Sequence, residues 1–185
     1  NIMADLKPEE YPYKPETRAL VASRAGGARA TEEPDASCLP QGVPKINAAP
    51  VPFKIVQLPK LVLLVYEAFT LWRQVHLDGR QLVDDPNPTW LGWSTGKWDG
   101  DTLVVETRGL NGKYWMDIAG NPASDAMKVT ERVRRTSFGH MEIEITLDDP
   151  KLYTRPWKAT DSFSSDNKGV LMRFLRRCGA GPAHH

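Results

Sequence analysis

From residue 53 onward, the chain consists of short runs of β-branched, aromatic and aliphatic residues that alternate with turn-forming pairs. The turn signals are Pro59-Lys60, Asp78-Gly79, Asp99-Gly100 and the segment 136–139. Asp-Gly between two β-type runs is a strong hairpin signal, because both central residues of a type I′ turn need a positive φ. No long helical periodicity separates the runs. The chain is therefore limited to a fold made mainly of antiparallel hairpins.

The runs predict eight or nine strands, at residues 53–58, 61–66, 71–77, 90–98, 101–108, 128–135, 140–147, 153–160 and 169–176. We expect a mostly β fold, an antiparallel up-and-down barrel of the lipocalin type. Sequential hairpins close such a barrel without the long crossovers of a Greek key. A two-sheet sandwich is the alternative closure. The Asp99-Gly100 turn is expected to place Trp93 opposite Glu106.

The first 50 residues differ in composition from the rest of the chain. Nine of the fifteen prolines lie within the first 59 residues. We predict an extended arm over residues 1–50, with one or two helical turns near Pro15, where proline comes early and basic residues come late. The barrel domain is predicted over residues 51–178. Residues 179–185, which end in two histidines, are predicted to be a disordered tail or a tag remnant.

Charge and hydropathy argue against two classes of function. With 24 Lys and Arg against 23 Asp and Glu, the chain lacks the basic surface of a nucleic-acid-binding protein. Its longest apolar run, near residues 61–65, is far shorter than the ~20 residues of a transmembrane helix. We predict neither nucleic-acid binding nor a transmembrane segment. The first residues do not have the pattern of a signal peptide, so an exported protein is expected in its processed form.

The two cysteines, Cys38 and Cys178, lie far apart in the sequence. Neither belongs to a C-x-x-C pair or a Cys/His cluster, which argues against a zinc site. We predict a Cys38–Cys178 disulfide, whose loop of about 140 residues would stabilise the fold by roughly 4–5 kcal/mol in the chain-entropy model. Such a bond implies an oxidising compartment, so the protein is expected to be periplasmic or secreted. The alternative is two buried free thiols in a cytosolic protein.

The hairpin over residues 128–147 can be analysed pair by pair. If Thr136 pairs with His140, the arginines of the first strand face the glutamates of the second on a solvated surface. Glu131 then lies on the opposite, apolar face, where it is a candidate general acid or base. The alternative is a structural ion pair with an inward-facing arginine. The candidate partners are Arg73, Arg80 and Arg135.

Residues 109–126 form the longest predicted loop, and they include Tyr114, Trp115 and Asp117. Loops longer than ~12–15 residues in a compact domain are usually functional or disordered, and the aromatic residues favour an ordered loop. It is either a lid over the barrel mouth or an Ω-loop whose aromatic residues plug the end of the core. As a lid, it would bring Tyr114 and Asp117 to Glu131 as catalytic partners.

The six tryptophans supply candidates for an apolar binding pocket. Small-molecule sites combine apolar walls with a few fixed polar groups, which favours Trp72, Trp93 and Trp115 together with Arg73 as ligand-binding residues. The sequence has no Gly-rich nucleotide-binding loop and no nucleophile elbow. Its four scattered histidines argue against a metal or haem site. We therefore predict no metal and no cofactor.

Six segments of the chain resemble a known family. They are CLPQGVP (38–44), FTLWRQVHLDGR (69–80), DPNPTWLG (85–92), WDGDTLVVET (98–107), FGHMEIEITLDDP (138–150) and YTRPW (153–157). The family is a large one of uncharacterised exported bacterial proteins, and the resemblance covers about residues 1–157. It implies export and no known activity. Members usually have Pro-His-Ser where this chain has Pro122-Ala123-Ser124, and this departure argues against histidine chemistry common to the family at that loop. A looser likeness to lipocalin barrels is one of fold alone.

Three functions are consistent with these patterns. The preferred one is an exported β-barrel that binds a small, largely apolar ligand, because the chain combines many strands and tryptophans with no catalytic motif. The second is an accessory subunit of a larger extracytoplasmic or membrane-attached assembly, whose N-terminal arm binds a protein partner. The third is a cofactor-free lyase, isomerase or hydrolase that uses Glu131 with Tyr114 or Asp117.

Overall fold

The structure, a computed structural model, describes residues 2–49 and 51–164. It is mostly β, as predicted, with one sheet in which eight strands follow each other in sequence order. The strands are β1 (Phe53–Leu58), β2 (Leu61–Tyr66), β3 (Trp72–His76), β4 (Trp93–Asp99), β5 (Thr102–Arg108), β6 (Lys128–Ser137), β7 (His140–Asp148) and β8 (Trp157–Ser164). The α-helix is α1 (Pro15–Ser23). Short 3₁₀ turns are Pro8–Glu10, Ala25–Gly27, Ala30–Glu32, Pro34–Ser37, Lys45–Ala48 and Ala68–Thr70.

The sheet curls into a half-barrel whose first and last strands are its edges. The two edges approach each other where the rings of Phe53 and Phe163 meet edge to face, with centroids 5.6 Å apart. Within residues 2–49 and 51–164, no ladder of hydrogen bonds joins β1 to β8. The predicted ninth strand, residues 169–176, and the predicted tail, residues 179–185, lie outside the described residues.

The predicted register of the β6–β7 hairpin is confirmed from Lys128 to Arg135, with Glu131 opposite Ile145. Next to the turn the prediction is wrong by one residue, because a bulge after Arg135 pairs Ser137 instead of Thr136 with His140. The predicted register of β4 and β5 is wrong by two residues, because Trp93 faces Arg108 instead of Glu106. The turn is centred on Gly100 and the residue after it, so Asp99 still belongs to the strand. Of the two turn residues, Gly100 and Asp101, only Gly100 has a positive φ, at 59°.

One connection departs from the predicted series of hairpins. β3 and β4 run parallel and pair only at Val75 with Ser94 and at His76 with Thr95. Residues 77–92 carry the chain back to the start of β4, because parallel neighbours need a crossover rather than a tight turn. All other neighbouring strands are antiparallel.

The N-terminal arm contributes to the same hydrophobic core as the sheet. Met3, Val43 and Ile46 are almost fully buried among the inward-facing residues of the strands. The helical turns expected near Pro15 are α1, which begins with this proline as its first residue. Within the described residues, no helix is both long enough and apolar enough to cross a bilayer.

Hydrogen bonds fix the first part of the arm to the half-barrel. The hydroxyl of Thr17 donates to the carbonyl of Leu152 at 2.7 Å, and the backbone N–H of Thr160 donates to the carboxylate of Asp5 at 2.9 Å. The second bond satisfies a backbone donor on β8, an edge strand. Covering an edge strand in this way protects it from unwanted pairing.

Candidate functional site

A buried ion pair occupies the interior of the half-barrel. Arg73 on β3 and Glu131 on β6 have side chains that are only 2% and 3% exposed. Arg73 Nη1 donates to Glu131 Oε1 at 3.2 Å, and Nη2 donates to Oε2. The remaining donors of Arg73 reach the hydroxyls of Ser94, at 3.0 Å, and Thr107, at 2.7 Å. Of the three arginines considered from the sequence, Arg73 is the partner of Glu131.

The arm adds the side chain of Asn47 to this network. Asn47 Nδ2 donates to Glu131 Oε1 at 2.6 Å, and the hydroxyl of Tyr66 donates to Asn47 Oδ1 at 2.7 Å. Burial by itself lowers the pKa of Arg73, but the Glu131 carboxylate more than compensates and holds that pKa above its usual value. Burial also raises the pKa of Tyr66. The network therefore contains a permanent guanidinium and a neutral phenol.

The interior has no room for an organic ligand. Between the sheet residues that surround the ion pair, the described part of the chain leaves a cavity of about 20 Å³. A cavity of roughly 10–15 Å³ is needed to hold one water molecule, so this space fits little more than that. The walls are Ile55, Val62, Leu64, Arg73, Val75, Leu103, Val105, Glu131, Val133 and Ile143.

The predicted catalytic residues Tyr114 and Asp117 do not join Glu131. The hydroxyl of Tyr114 donates to the backbone carbonyl of Val43 at 2.6 Å, and burial raises its pKa. Asp117 accepts the backbone N–H of Ile2 at 2.7 Å and backbone N–H groups of the turn that follows it. Each of the three side chains thus has its own partners. The loop over residues 109–126 has the plugging role considered from the sequence, because Tyr114 is buried beneath the arm.

The four predicted ligand-binding residues lie in three different places. Trp115 is buried, and the guanidinium carbon of Arg24 lies 4.3 Å from the centre of its ring. Trp72 and Trp93 are 60% and 48% exposed on the outer face of β3 and β4. Arg73 faces inward to the ion pair. These residues therefore do not form a common pocket.

A cleft of about 490 Å³ lies where the arm and the 109–126 loop meet the end of β8. Its volume falls within the range of roughly 300–1,000 Å³ found for small-molecule sites. The wall combines aliphatic side chains with four carboxyl groups and one lysine. The lining residues are Ile2, Glu33, Asp35, Gln41, Pro44, Lys45, Ala48, Ala49, Met116, Asp117, Ile118 and Asp161.

The lysine of the cleft is neutralised by two carboxylates. Lys45 Nζ donates to Asp35 Oδ2 at 2.7 Å and to Glu33 Oε1. Burial raises the pKa of Glu33, and the bond from Lys45 offsets this only in part. Burial also acts to raise the pKa of Asp35, but hydrogen bonds from Lys45 and Gln41 bring it below its usual value. The positive charge of Lys45 is therefore balanced by Glu33 and Asp35, which disfavours an anionic ligand at this lysine.

Asp161 has the opposite environment. Burial raises its pKa, and the nearby carboxylates of Asp5 and Glu131 raise it further. In the part of the chain that the structure describes, no lysine, arginine or histidine lies within ion-pair distance of Asp161. Together with Asp117, it leaves this side of the cleft with an excess of negative charge. The cleft is thus suited to a cation rather than an anion.

Cys38 is exposed and adopts a left-handed backbone conformation, with φ at 59°. Among the described residues, no second cysteine lies near it. Its predicted partner, Cys178, lies outside the described residues, so the disulfide stays a prediction.

Lys45, Asn47 and Asp161 are among the residues of these two regions that sequence reasoning missed. The first two belong to an irregular segment in which no periodicity tells inward from outward positions. On β8, Asp161 lies on the same face as the buried Trp157 and Ala159, and the two-residue spacing could have revealed this from the sequence. The prediction ended that strand at residue 160, four positions before its end at Ser164.

Comparison with protein-family models, curated proteins and solved structures finds no match. Within residues 2–49 and 51–164, no group of three or more His, Cys, Asp and Glu side chains is arranged to hold a metal ion. The geometry of the two regions is therefore the basis for a functional proposal.

Proposed function

We propose that this chain is an exported binding protein whose ligand is a small, largely apolar molecule with a positively charged group. The ligand site is the cleft between the arm and the half-barrel. One observation carries the proposal: the cleft offers about 490 Å³, whereas the barrel interior offers about 20 Å³. The preferred hypothesis from the sequence is thereby kept, and its site is moved out of the barrel.

The chemistry of the wall supports the class of ligand. Pro44, Met116 and Ile118 supply apolar surface, and Ile118 is among the most exposed aliphatic residues. Asp161 supplies a carboxyl group that has no lysine, arginine or histidine at ion-pair distance among residues 2–49 and 51–164. A ligand ammonium group beside it would favour the ionised carboxylate and would replace the missing counter-charge. An apolar body with one amine matches both features.

Action outside the cytoplasm is supported by the family resemblance and by the predicted Cys38–Cys178 disulfide. A bond between these cysteines would form only in an oxidising compartment in most organisms. Peptide mapping of the native protein under non-reducing conditions tests it. Recovery of a single disulfide-linked peptide pair is expected, and recovery of both cysteines as free thiols would count against export.

The two alternatives have less support. The arm packs on its own half-barrel through residues 2–24, which leaves mainly residues 25–38 exposed for a protein partner. For an enzyme, Glu131, Tyr114 and Asp117 would have to converge on a substrate, and their hydrogen bonds hold them apart. The cavity beside Glu131 also admits no substrate.

Isothermal titration with a matched pair of probes tests the proposal. Naphthylmethylamine is an apolar cation, and naphthylacetate is an anion of similar shape. The amine is expected to bind measurably and the acid at least tenfold more weakly, a difference of about 1.4 kcal/mol. Equal binding of both probes, or of neither, would contradict the proposed ligand class.

Two variants with the same substitution locate the binding site. Ala48 lies on the cleft wall, and Ala22 lies on α1 away from it; both are exposed. Ala48→Trp is expected to fill the cleft and abolish amine binding, whereas Ala22→Trp leaves it unchanged. Loss of binding in both variants, or in neither, would place the amine elsewhere.

A further inference from the structure

A second hollow, unrelated to the cleft, lies on the outer side of the sheet. It is a groove of about 480 Å³ between the 77–92 crossover and β4, and a smaller hollow of about 170 Å³ adjoins it. The two share Arg80, Gln81 and Thr95 in their walls. Together they form an elongated depression rather than a closed pocket.

The indole of Trp93 lines this groove and is held in a fixed orientation. Its Nε1–H donates to the backbone carbonyl of Asn87 at 2.9 Å. Gly109 and Pro86 lie against it, because a methyl group added to Gly109 would come within 3.0 Å of Trp93 Cδ1 and 2.5 Å of Pro86 Cγ. Gly109 also has a positive φ of 70°, which favours glycine there. The ring is nevertheless 48% exposed.

Trp72 lies on the same outer face of the sheet as Trp93, on the neighbouring strand, outside the groove wall. β3 and β4 pair at Val75 with Ser94, and Trp93 and Trp72 come just before this point on their strands. Val75 and Ser94 face inward, so the alternation of strand side chains puts both indoles on the outer face. Trp72 is 60% exposed. Two large aromatic rings therefore stand open to solvent at the same end of neighbouring strands.

The polar groups of the groove are of both signs and nearly balanced. Arg80 is held by Asp78, whose carboxylate accepts a bond of 2.5 Å from Arg80 Nη2. Gln81, Asp85 and Asn87 supply amide and carboxylate groups on the same wall. Planar groups of this kind bind vicinal hydroxyls through paired hydrogen bonds. The near balance of charge argues against a strongly charged ligand.

From this combination we propose that the groove binds a neutral oligosaccharide chain. The apolar face of one sugar ring stacks on Trp93, a second ring reaches Trp72, and the hydroxyl edges bond to Arg80, Asp85 and Asn87. Proline-rich peptides also dock in aromatic grooves. The Trp93 N–H already bonds to Asn87 and offers a peptide carbonyl no donor. The exposed half of its ring is the feature that a sugar would use.

Titration of the full chain with cellohexaose, chitohexaose and decaproline tests the proposal, with tryptophan fluorescence and calorimetry as readouts. At least one hexasaccharide is expected to bind, and decaproline is not. Trp93→Ala is expected to weaken saccharide binding by roughly tenfold or more, and Trp93→Tyr to restore most of it, because the phenol ring keeps a stacking face.

Two further variants keep the test decisive if Trp93→Ala does not fold. Asn87→Ala removes a side-chain amide but keeps the carbonyl that orients Trp93, and it is expected to weaken binding. Phe138→Ala removes an even more exposed aromatic ring, in the turn between β6 and β7, which does not line the groove, and it is expected to have no effect. Binding of decaproline alone, binding of no probe, or saccharide binding that Trp93→Ala and Asn87→Ala leave intact would overturn the proposal. The amine probes of the cleft do not report on this groove, so each site is tested by itself.

Discussion

Buried charged groups have opposite environments in the barrel interior and in the cleft beside the arm. In the interior, Glu131 is paired with Arg73, and its oxygens also accept a bond from Asn47, around a cavity of about 20 Å³. In the cleft, Asp161 has a raised pKa and no cation at ion-pair distance within the described residues, beside a space of about 490 Å³. The charged groups of the interior thus have partners and almost no space beside them. The cleft has space for a ligand and a carboxyl group, Asp161, without a paired cation among the described residues.

This difference separates structural from functional polar groups. A buried ion pair whose donors and acceptors are all used holds elements together and has no capacity left for a ligand. Here it joins β3, β6 and the arm. A carboxyl group at the rim of a cleft that lacks its counter-charge is instead available to a ligand cation. Substitutions at Glu131, Lys45, Asn47 and Asp161, in order of decreasing expected effect, test that separation.

The largest effect is expected from breaking the interior pair. Glu131→Ala leaves the Arg73 guanidinium buried without its carboxylate, and we expect a loss of about 3–5 kcal/mol in the free energy of unfolding. Urea denaturation measures this loss. As a control, Glu144→Gln removes an exposed partner of Lys158 and is expected to cost less than about 1 kcal/mol. Similar losses in both variants would contradict the structural role of the pair.

Breaking the Lys45 cluster is expected to have two effects of opposite direction. Lys45→Met leaves Glu33 and Asp35 without their cation, and we expect it to cost about 1–3 kcal/mol of stability. The same change frees two carboxylates in the cleft, so it is expected to strengthen binding of naphthylmethylamine. Urea denaturation and calorimetry measure the two quantities. Weaker amine binding in this variant would show that the lysine contributes directly to the ligand site.

Removing the link from the arm is expected to have a smaller cost. Asn47→Ala takes one bond from Glu131 and one from Tyr66, and we expect a loss of about 1–2 kcal/mol in stability. A double-mutant cycle with Tyr66→Phe is expected to show coupling between the two positions, because they share one hydrogen bond. Strictly additive losses would mean that the arm is held mainly by its apolar residues.

The smallest effect is expected at Asp161, and it has the opposite sign. A carboxyl group whose pKa is raised by folding destabilises the folded state once it ionises. Asp161→Asn is therefore expected to raise the Tm at pH 7. The gain should shrink as the pH falls through the raised pKa of the folded state, and it should vanish below about 4, where Asp161 is protonated in the unfolded chain too. A gain that does not depend on pH would contradict the raised pKa.

The regular alternation of apolar and polar residues made the half-barrel predictable, and it also made most of the β6–β7 register predictable. In β6 and β7, charged residues alternate with aliphatic ones, so the pattern gives the register and the inward position of Glu131. The same pattern left three possible arginine partners for Glu131. Alternation tells which face a residue occupies, whereas the curl of the sheet decides which inward residues meet. That curl brings β3 to β6 and selects Arg73.

The cleft was not predictable for a different physical reason. Lys45 and Ala48 belong to a 3₁₀ turn that directly follows Pro44, and Asp35 belongs to a separate 3₁₀ turn, Pro34–Ser37, in a segment without repeat. Such segments adopt conformations that depend on what they pack against, here the 109–126 loop and β8. Likewise, the Asp99-Gly100 pair gave the existence of a hairpin but not its register, since the turn uses Gly100 and Asp101.

The most direct test of the account is a titration of isotope-labelled protein with naphthylmethylamine, followed by amide chemical shifts. If the ligand binds in the cleft, the largest shifts occur at cleft residues such as Ala48, Ile118 and Asp161. The amides of Val62 and Ile143, which line the filled interior, should stay nearly unchanged. Large shifts at the interior residues with little change at the cleft would contradict the placement of the ligand outside the barrel.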